Sequence, residues 1–400
     1  MDLRAQAACL ADLGASPEET AELLAYNENV FDLGALGPDT RFPLPDEPFV
    51  AFWEERVRES HARGHGGAFA VLREHLPQLA FPIREGINKT EPYQAATRRG
   101  VPVETIPEAT GLELEHPEAI ELEIYESPAG RIPLLIARRR PEFAALIRAL
   151  TRRNEPVPVP DSQGALMVSG YNNWSRVREL RRAWEARKPG ERETATWGEE
   201  FQRIQGRREL YQDRFILLSD GPYSAVPAAD LGLEDEEWRE LSLAIRRDHE
   251  CTHYFTRRLF GSMRNNALDE LIADWAGLTG ATGRFRAAWF LRFMGLEDHP
   301  RFRPGARLEI YRGDPPLSDG AFRVLQRLLV EAAANLERLD ARLAEIPRTP
   351  AGRALALASL ASLRLEDLAS GNAEGLLRRA AMALAATAWP NGDQWLSWGK

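Results

Sequence analysis

Apolar side chains recur through the C-terminal half of the chain at the spacing of packed helices. Three segments place them every three or four residues, the period of an amphipathic helix. These segments are 318–345, 350–365 and 373–388. A further helix is predicted from Asp235 to about Phe260, where Gly261-Ser262 breaks the pattern. The chain beyond residue 235 is therefore predicted to be mainly helical.

The pattern of the N-terminal part is mixed. Residues 121–125 and 132–137 alternate or run apolar, as strands do, and Ser127-Pro128-Ala129-Gly130 between them has the composition of a hairpin turn. Helical segments surround this pair of predicted strands. The N-terminal part is therefore predicted to combine helices with a small sheet.

A proline-rich stretch at 154–160 reads as an extended connector. It divides the sequence into a predicted mixed α/β domain at 1–155 and a predicted mainly helical domain at 156–400. Ser219–Tyr223, which precedes the long helix, has the composition of a turn. The predicted fold class is α+β, with an antiparallel helical hairpin in the second domain.

Composition and charge narrow the class of protein. The chain is 44% hydrophobic and 28% charged, which indicates a folded globular protein. Its 51 basic and 60 acidic residues are mixed along the sequence and give a net charge of −9, so nucleic acid is not an expected partner. No stretch approaches the ~20 apolar residues that cross a bilayer, and no signal peptide is evident. With only two cysteines, we expect a cytoplasmic protein without a membrane partner.

Residues 249–253 read His-Glu-Cys-Thr-His within the long predicted helix. His249 and His253 are four positions apart, so they lie on one helix face and can bind one ion together. Glu250 is turned about 100° from His249. It should flank the ion without binding it, where a carboxylate can take a proton from the metal's water.

A second helix, predicted at Arg264–Gly277, supplies a third ligand if the two helices fold back on each other. His253 lies nine residues before Ser262 and Glu270 lies eight residues after it, so the two come level in an antiparallel hairpin. Two histidines and one glutamate leave a fourth position for water, as catalytic zinc requires. The predicted metal ligands are therefore His249, His253 and Glu270, and the predicted cofactor is Zn²⁺.

Two aspartates on the second helix have different predicted roles. Asp274 comes level with His249, where its carboxylate can accept the other ring N–H and fix the tautomer of the ligand. Asp269 precedes Glu270 by one position and is predicted to point about 100° away from the ligand face. We therefore expect Asp269 to tolerate substitution far better than Asp274.

The two segments, His-Glu-Cys-Thr-His at 249–253 and Glu-Leu-Ile-Ala-Asp at 270–274, resemble the HExxH…ExxxD signature of the gluzincins. These are the thermolysin-like zinc metallopeptidases, and the resemblance covers residues 235–278. It implies a hydrolase that cleaves a peptide or amide bond, with Glu250 as the general base. It also implies a histidine or tyrosine C-terminal to the ligands that stabilises the oxyanion.

For the oxyanion-stabilising residue, the downstream candidates are His299 and Tyr311, the latter with its neighbour Arg312. A cytoplasmic enzyme of this type is expected to act on a small peptide or amide. Its oligomeric state stays open at this stage.

Two other functions stay open. A non-haem iron oxygenase also uses two histidines and one carboxylate, although it leaves Glu250 and Asp274 without a role. A non-catalytic metal-binding protein is the second alternative, and the intact Glu250 argues against it.

Overall fold

The computed structural model describes residues 1–36, 39–188, 190, 192–263, 266–344, 346 and 348–388. Its helices α1–α15 are Leu3–Asp12, Pro17–Tyr26, Val50–Arg63, Gly67–His75, Glu91–Arg99, Arg140–Thr151, Trp174–Glu185, Trp197–Gln205, Asp235–Phe260, Asn266–Thr282, Ala287–Met294, Asp319–Leu343, Pro350–Ala361, Leu365–Ala369 and Ala373–Ala388. Its strands β1–β4 are Ile120–Ser127, Gly130–Ala137, Ala165–Asn172 and Gln212–Ser219. None of the helices within these ranges is long and apolar enough to cross a membrane.

The predicted α+β class is confirmed. The four strands form one mixed sheet in the order β1-β2-β4-β3, and helices dominate the chain after β4. The predicted hairpin is present, because β1 and β2 are neighbours joined by Pro128 and Ala129. The two helices predicted to carry the metal site are α9 and α10.

Two compact units make up the chain. Unit 1 comprises Met1–Pro45, Ser127–Gly130 and Pro222–Lys400, and unit 2 comprises Asp46–Glu126 and Arg131–Gly221. The domain boundary expected after residue 155 falls inside unit 2. The physical reason is strand pairing, since β3 and β4 follow that position but share a sheet with β2, which precedes it.

The sheet and its helices build the core of unit 2. Strand β4 pairs in parallel with β2, with Leu135 opposite Leu217, and antiparallel with β3. The side chains of Leu135, Leu217 and Phe215 are fully buried against Phe143 and Ile147 of α6. The apolar face of α6 and the apolar side chains of β2 and β4 thus exclude water from the space between helix and sheet.

Unit 1 is helical, and its α9–α10 pair positions the candidate site. Acidic side chains in the first turn of α9 and arginines in the last turn favour the helix electrostatically. The helix ends at Gly261, whose left-handed φ of 71° suits glycine and whose N–H bonds to the Arg257 carbonyl. On α10, a Cβ at Gly277 would lie 2.6 Å from the carbonyl oxygen of Ile245 on α9. The missing side chain therefore lets the two helices approach closely.

Candidate metal centre

Three predicted ligands meet between α9 and α10. The Nε2 atoms of His249 and His253 lie 3.0 Å apart. Glu270 faces both of them, with Oε1 3.4 Å from Nε2 of His253 and Oε2 3.7 Å from Nε2 of His249. All three side chains are less than 10% exposed, and their ligand atoms lie within 4.8 Å of one another. The antiparallel hairpin thus brings together the three residues that were predicted as ligands from their distances to Ser262 along the sequence.

Carboxylates behind the two histidines define the protonation of the rings. Nδ1 of His249 lies 2.8 Å from Oδ1 of Asp274, and Nδ1 of His253 lies 2.8 Å from Oδ2 of Asp269. A carboxylate only accepts hydrogen bonds, so this pattern assigns the ring proton to Nδ1 in both histidines. In the neutral rings, both Nε2 lone pairs therefore point into the same small space.

This arrangement needs a positive charge between the two Nε2 atoms. Two lone pairs 3.0 Å apart repel each other unless a proton or a metal ion lies between them. Burial alone lowers the pKa of His253, but Asp269 and Glu270 raise it well above its ordinary value, so this ring carries a second proton when no metal is bound. Oε2 of Glu270 is also buried and accepts no hydrogen bond within the described part of the chain. The donor set therefore fits a divalent cation, which would displace the proton.

Asp269 corrects one expectation. It was predicted to point away from the ligand face and to tolerate substitution, yet its carboxylate is buried and holds His253. The reason is that every residue from Ala267 to Trp275 on α10 is buried, so no flank of this turn faces solvent. Although Asp269 is rotated about 100° from Glu270 around the helix, its carboxylate therefore meets Nδ1 of His253 instead of water.

Two further residues belong to the site and were not predicted. Tyr223 donates to Oδ1 of Asp274 at 2.6 Å, and Arg307 binds Oδ2 of the same carboxylate. Arg307 also donates to the Tyr223 hydroxyl at 3.0 Å and to Oγ of Ser224 at 2.9 Å. Burial would raise the pKa of Asp274, but Arg307 and His249 hold it below its usual value. Asp274 is therefore ionised when it orients His249.

Neither residue carried a strong sequence signal. The segment Ser219–Tyr223 has turn composition, and Arg307 is one arginine among many, at the start of the short 3-10 helix Arg307–Tyr311. One hint is visible only in the backbone: Ser224 and Ala225 adopt left-handed φ values of 52° and 55°. Such conformations are costly for residues other than glycine and concentrate at functional sites.

The formal charges of the cluster match a divalent ion. Three carboxylates, Asp269, Glu270 and Asp274, lie around the two imidazoles, and one guanidinium, that of Arg307, opposes them. With neutral imidazoles these four charged groups together carry two net negative charges. Burying unbalanced charge is costly, so a dication would complete the site electrostatically.

The remaining predicted residues divide into two groups. Glu250 is half-buried on α9, next in sequence to His249. Tyr311 is half-buried beside Glu270, and burial together with that carboxylate raises its phenol pKa far above the ordinary value. Tyr311 is therefore a protonated hydrogen-bond donor at the site.

The other downstream candidates lie elsewhere. His299 has Arg327 and Glu331 of α12 as its charged neighbours, and no contact among the described residues joins it to the histidine pair. Arg312 forms an ion pair with Asp319 and donates to the Leu317 carbonyl. Of the candidates for stabilising an oxyanion, only Tyr311 is brought to the cluster.

Comparison with known proteins places the chain in a family. A model described as a family of unknown function (DUF7005) matches residues 8–372. The chain belongs to this family. No curated protein and no solved structure matches the chain. The matched region contains the whole cluster, but the family description assigns no activity, so the gluzincin resemblance stays a hypothesis.

Proposed function

We propose that this member of the DUF7005 family is a zinc-dependent hydrolase of the gluzincin type that cleaves a peptide or amide bond. The observation that carries the proposal is the buried pair of Nε2 atoms 3.0 Å apart, each ring held at Nδ1 by its own carboxylate. Catalytic zinc sites use such histidines with supporting carboxylates, together with a third protein ligand and an open position. Here the third ligand would be Glu270.

The chain's own residues would divide the remaining work. A bound zinc ion would supply Lewis acidity and lower the pKa of a water molecule. Glu250, beside the first ligand in the chain, would accept the proton of the attacking water and pass it to the leaving amine. Tyr311 would donate its phenolic hydrogen to the oxygen that becomes negative during the attack.

Burial of the cluster favours small substrates. The ligand side chains of His249, His253 and Glu270 are 8%, 9% and 6% exposed. A folded polypeptide could not reach atoms at that depth, so the proposed substrate is a short peptide or an amide metabolite. We place this activity in the cytoplasm, where the free thiols of Cys9 and Cys251 would stay reduced.

Replacement of Glu250 by glutamine tests the proposed general base. Glu250→Gln keeps the size of the side chain but removes its basicity, so turnover of a small peptide library should fall by at least ~100-fold. Bound zinc, measured by elemental analysis of the purified protein, should not change. Glu237→Gln, at an exposed position of the same helix, is the matched control and should retain full turnover.

The same preparations separate the proposal from its alternatives. Stoichiometric iron with oxygen-dependent turnover would replace the hydrolase with a two-histidine, one-carboxylate oxygenase. Full hydrolytic activity in Glu250→Gln would show that Glu250 is not the base. Bound zinc without turnover of any peptide or amide by the wild-type protein would favour a metal-binding protein.

A further inference from the structure

Unit 1 contains a cavity that shares no lining residue with the metal cluster. Its volume is about 170 Å³. This is comparable with the ~150 Å³ cavity that can hold a benzene molecule. Asp248 of α9, Trp275 of α10, Asp340 of α12 and Arg353 of α13 contribute to its wall. The cavity is therefore large enough for a small organic molecule, and residues of α9, α10, α12 and α13 form much of its wall.

One wall carries a buried carboxylate without a cationic partner. Asp340 is only 7% exposed, and it accepts hydrogen bonds from Nε1 of Trp275 at 2.9 Å and from the backbone N–H of Phe285 at 2.8 Å. Both donors are neutral, and no arginine or lysine in the described ranges forms an ion pair with Asp340. The cavity therefore offers a desolvated negative charge to an incoming cation.

A positive group lies on the rim of the same cavity. Arg348 lines it and donates one guanidinium hydrogen to the Gly283 carbonyl, and it has no carboxylate partner among the described residues. Asp248 and Arg353, the other charged residues of the wall, already pair with each other at 3.2 Å. Among the described residues of the wall, one unmatched charge of each sign therefore remains, the Asp340 carboxylate and the Arg348 guanidinium.

Several leucine, alanine and tryptophan side chains make part of the remaining lining apolar, beside the hydroxyls of Thr252 and Thr279. Leu343, Ala356 and Leu357 are each at most 3% exposed, and the Trp275 indole continues their surface. A ligand that complements this wall carries a hydrocarbon or thioether group, because burial of such a group contributes favourable free energy. The ammonium of the same ligand would meet Asp340 and its carboxylate would meet Arg348.

From these features we propose that the cavity binds a free α-amino acid with an apolar side chain. The ligand class follows from the combination of one unmatched acid, one unmatched base and an apolar wall in a single cavity. The proposal does not depend on metal-dependent hydrolysis, since it concerns binding by groups outside the metal cluster.

Calorimetric titration of the full chain tests this binding with three related probes. L-leucine is expected to bind, while 4-methylpentanoate, which lacks the amine, and 3-methylbutylamine, which lacks the carboxylate, should bind at least about tenfold more weakly. Arg348→Gln should weaken leucine binding by a similar factor without affecting the fold, because Arg348 is exposed. Arg342→Gln is the matched control, an exposed arginine nearby that pairs with Glu374 and does not line the cavity.

Each other outcome would overturn the proposal. No heat of binding for leucine, methionine or phenylalanine at millimolar concentration would exclude an amino-acid site. Equal affinity for leucine and 3-methylbutylamine would mean a cation site without recognition of the carboxylate. Unchanged leucine affinity in Arg348→Gln would show that Arg348 does not bind the carboxylate of the amino acid, and recognition of a zwitterion would then lack its positive group.

Discussion

Each histidine of the candidate centre is supported by a different carboxylate on the same helix. Asp274 holds His249 and Asp269 holds His253, both at 2.8 Å from Nδ1. The two aspartates differ in their other contacts, since Asp274 also binds the Arg307 guanidinium. Asp269 shows no cationic partner other than His253 among the described residues. Both aspartates therefore orient a candidate ligand, but only Asp274 also balances the charge of Arg307.

We predict that Asp269→Ala and Asp274→Ala each weaken zinc affinity by about 10–100-fold, because each frees one liganding ring to rotate. Their effects on the metal-free protein should differ. Loss of Asp274 leaves a buried guanidinium without its carboxylate and should cost about 3–5 kcal/mol of unfolding free energy. Loss of Asp269 removes one of the two carboxylates that face the protonated His253 ring, while Glu270 remains, and should cost less, about 1–3 kcal/mol. Chelator competition and denaturant unfolding measure the two quantities separately.

Asp298→Ala, at an exposed position of unit 1, serves as the control and should alter neither quantity. If Asp269→Ala retained wild-type zinc affinity, its hydrogen bond to His253 would have no part in holding the ligand. A smaller stability loss for Asp274→Ala than for Asp269→Ala would contradict the role assigned to Arg307.

At the scale of elements, sequence periodicity was sufficient to predict the α9–α10 hairpin. It was not sufficient to predict which other residues pack around the histidines. The helical period and Gly261 fixed the turn, and counting residues from it brought Glu270 and Asp274 level with the two histidines. Asp269 could not be placed because the count assumes one buried face, whereas this turn of α10 is buried on all sides. Tyr223 and Arg307 reach the site from segments without regular period, whose paths depend on tertiary packing.

Close approach of α9 and α10 should itself be a requirement for metal binding. In Gly277→Ala the new Cβ would lie 2.6 Å from the Ile245 carbonyl oxygen, so the helices must separate. We predict a loss of about 1–3 kcal/mol in unfolding free energy, as for other overpacked contacts, together with weaker zinc binding. Gly198→Ala on α8 is the control, since its nearest neighbouring atom is 3.9 Å away. Unchanged zinc affinity in Gly277→Ala would mean that the ligands adapt to a wider helix spacing.

At the scale of the whole molecule, the proposed chemistry belongs to one of the two compact units. Every residue of the metal cluster, including Tyr223 and Arg307, lies in unit 1, while the sheet that contains β2 and β4 belongs largely to unit 2. A ligand that binds only the folded form of one unit stabilises that unit by mass action. The effect of the ion should therefore be local and should reveal where it binds.

Hydrogen exchange with and without zinc tests this localisation. At a zinc concentration of about a thousand times Kd, the gain of about 4 kcal/mol should slow the best-protected amides of α9 and α10 by about a thousandfold. Amides of β2 and β4 should exchange at the same rate in both conditions, and His253→Ala should show no slowing anywhere, because it lacks a ligand. Equal slowing in β4 and α9 would mean that the ion stabilises both units. Slowing that survives His253→Ala would place the ion away from the histidine pair, since only His249 and Glu270 of the three candidate ligands would remain there.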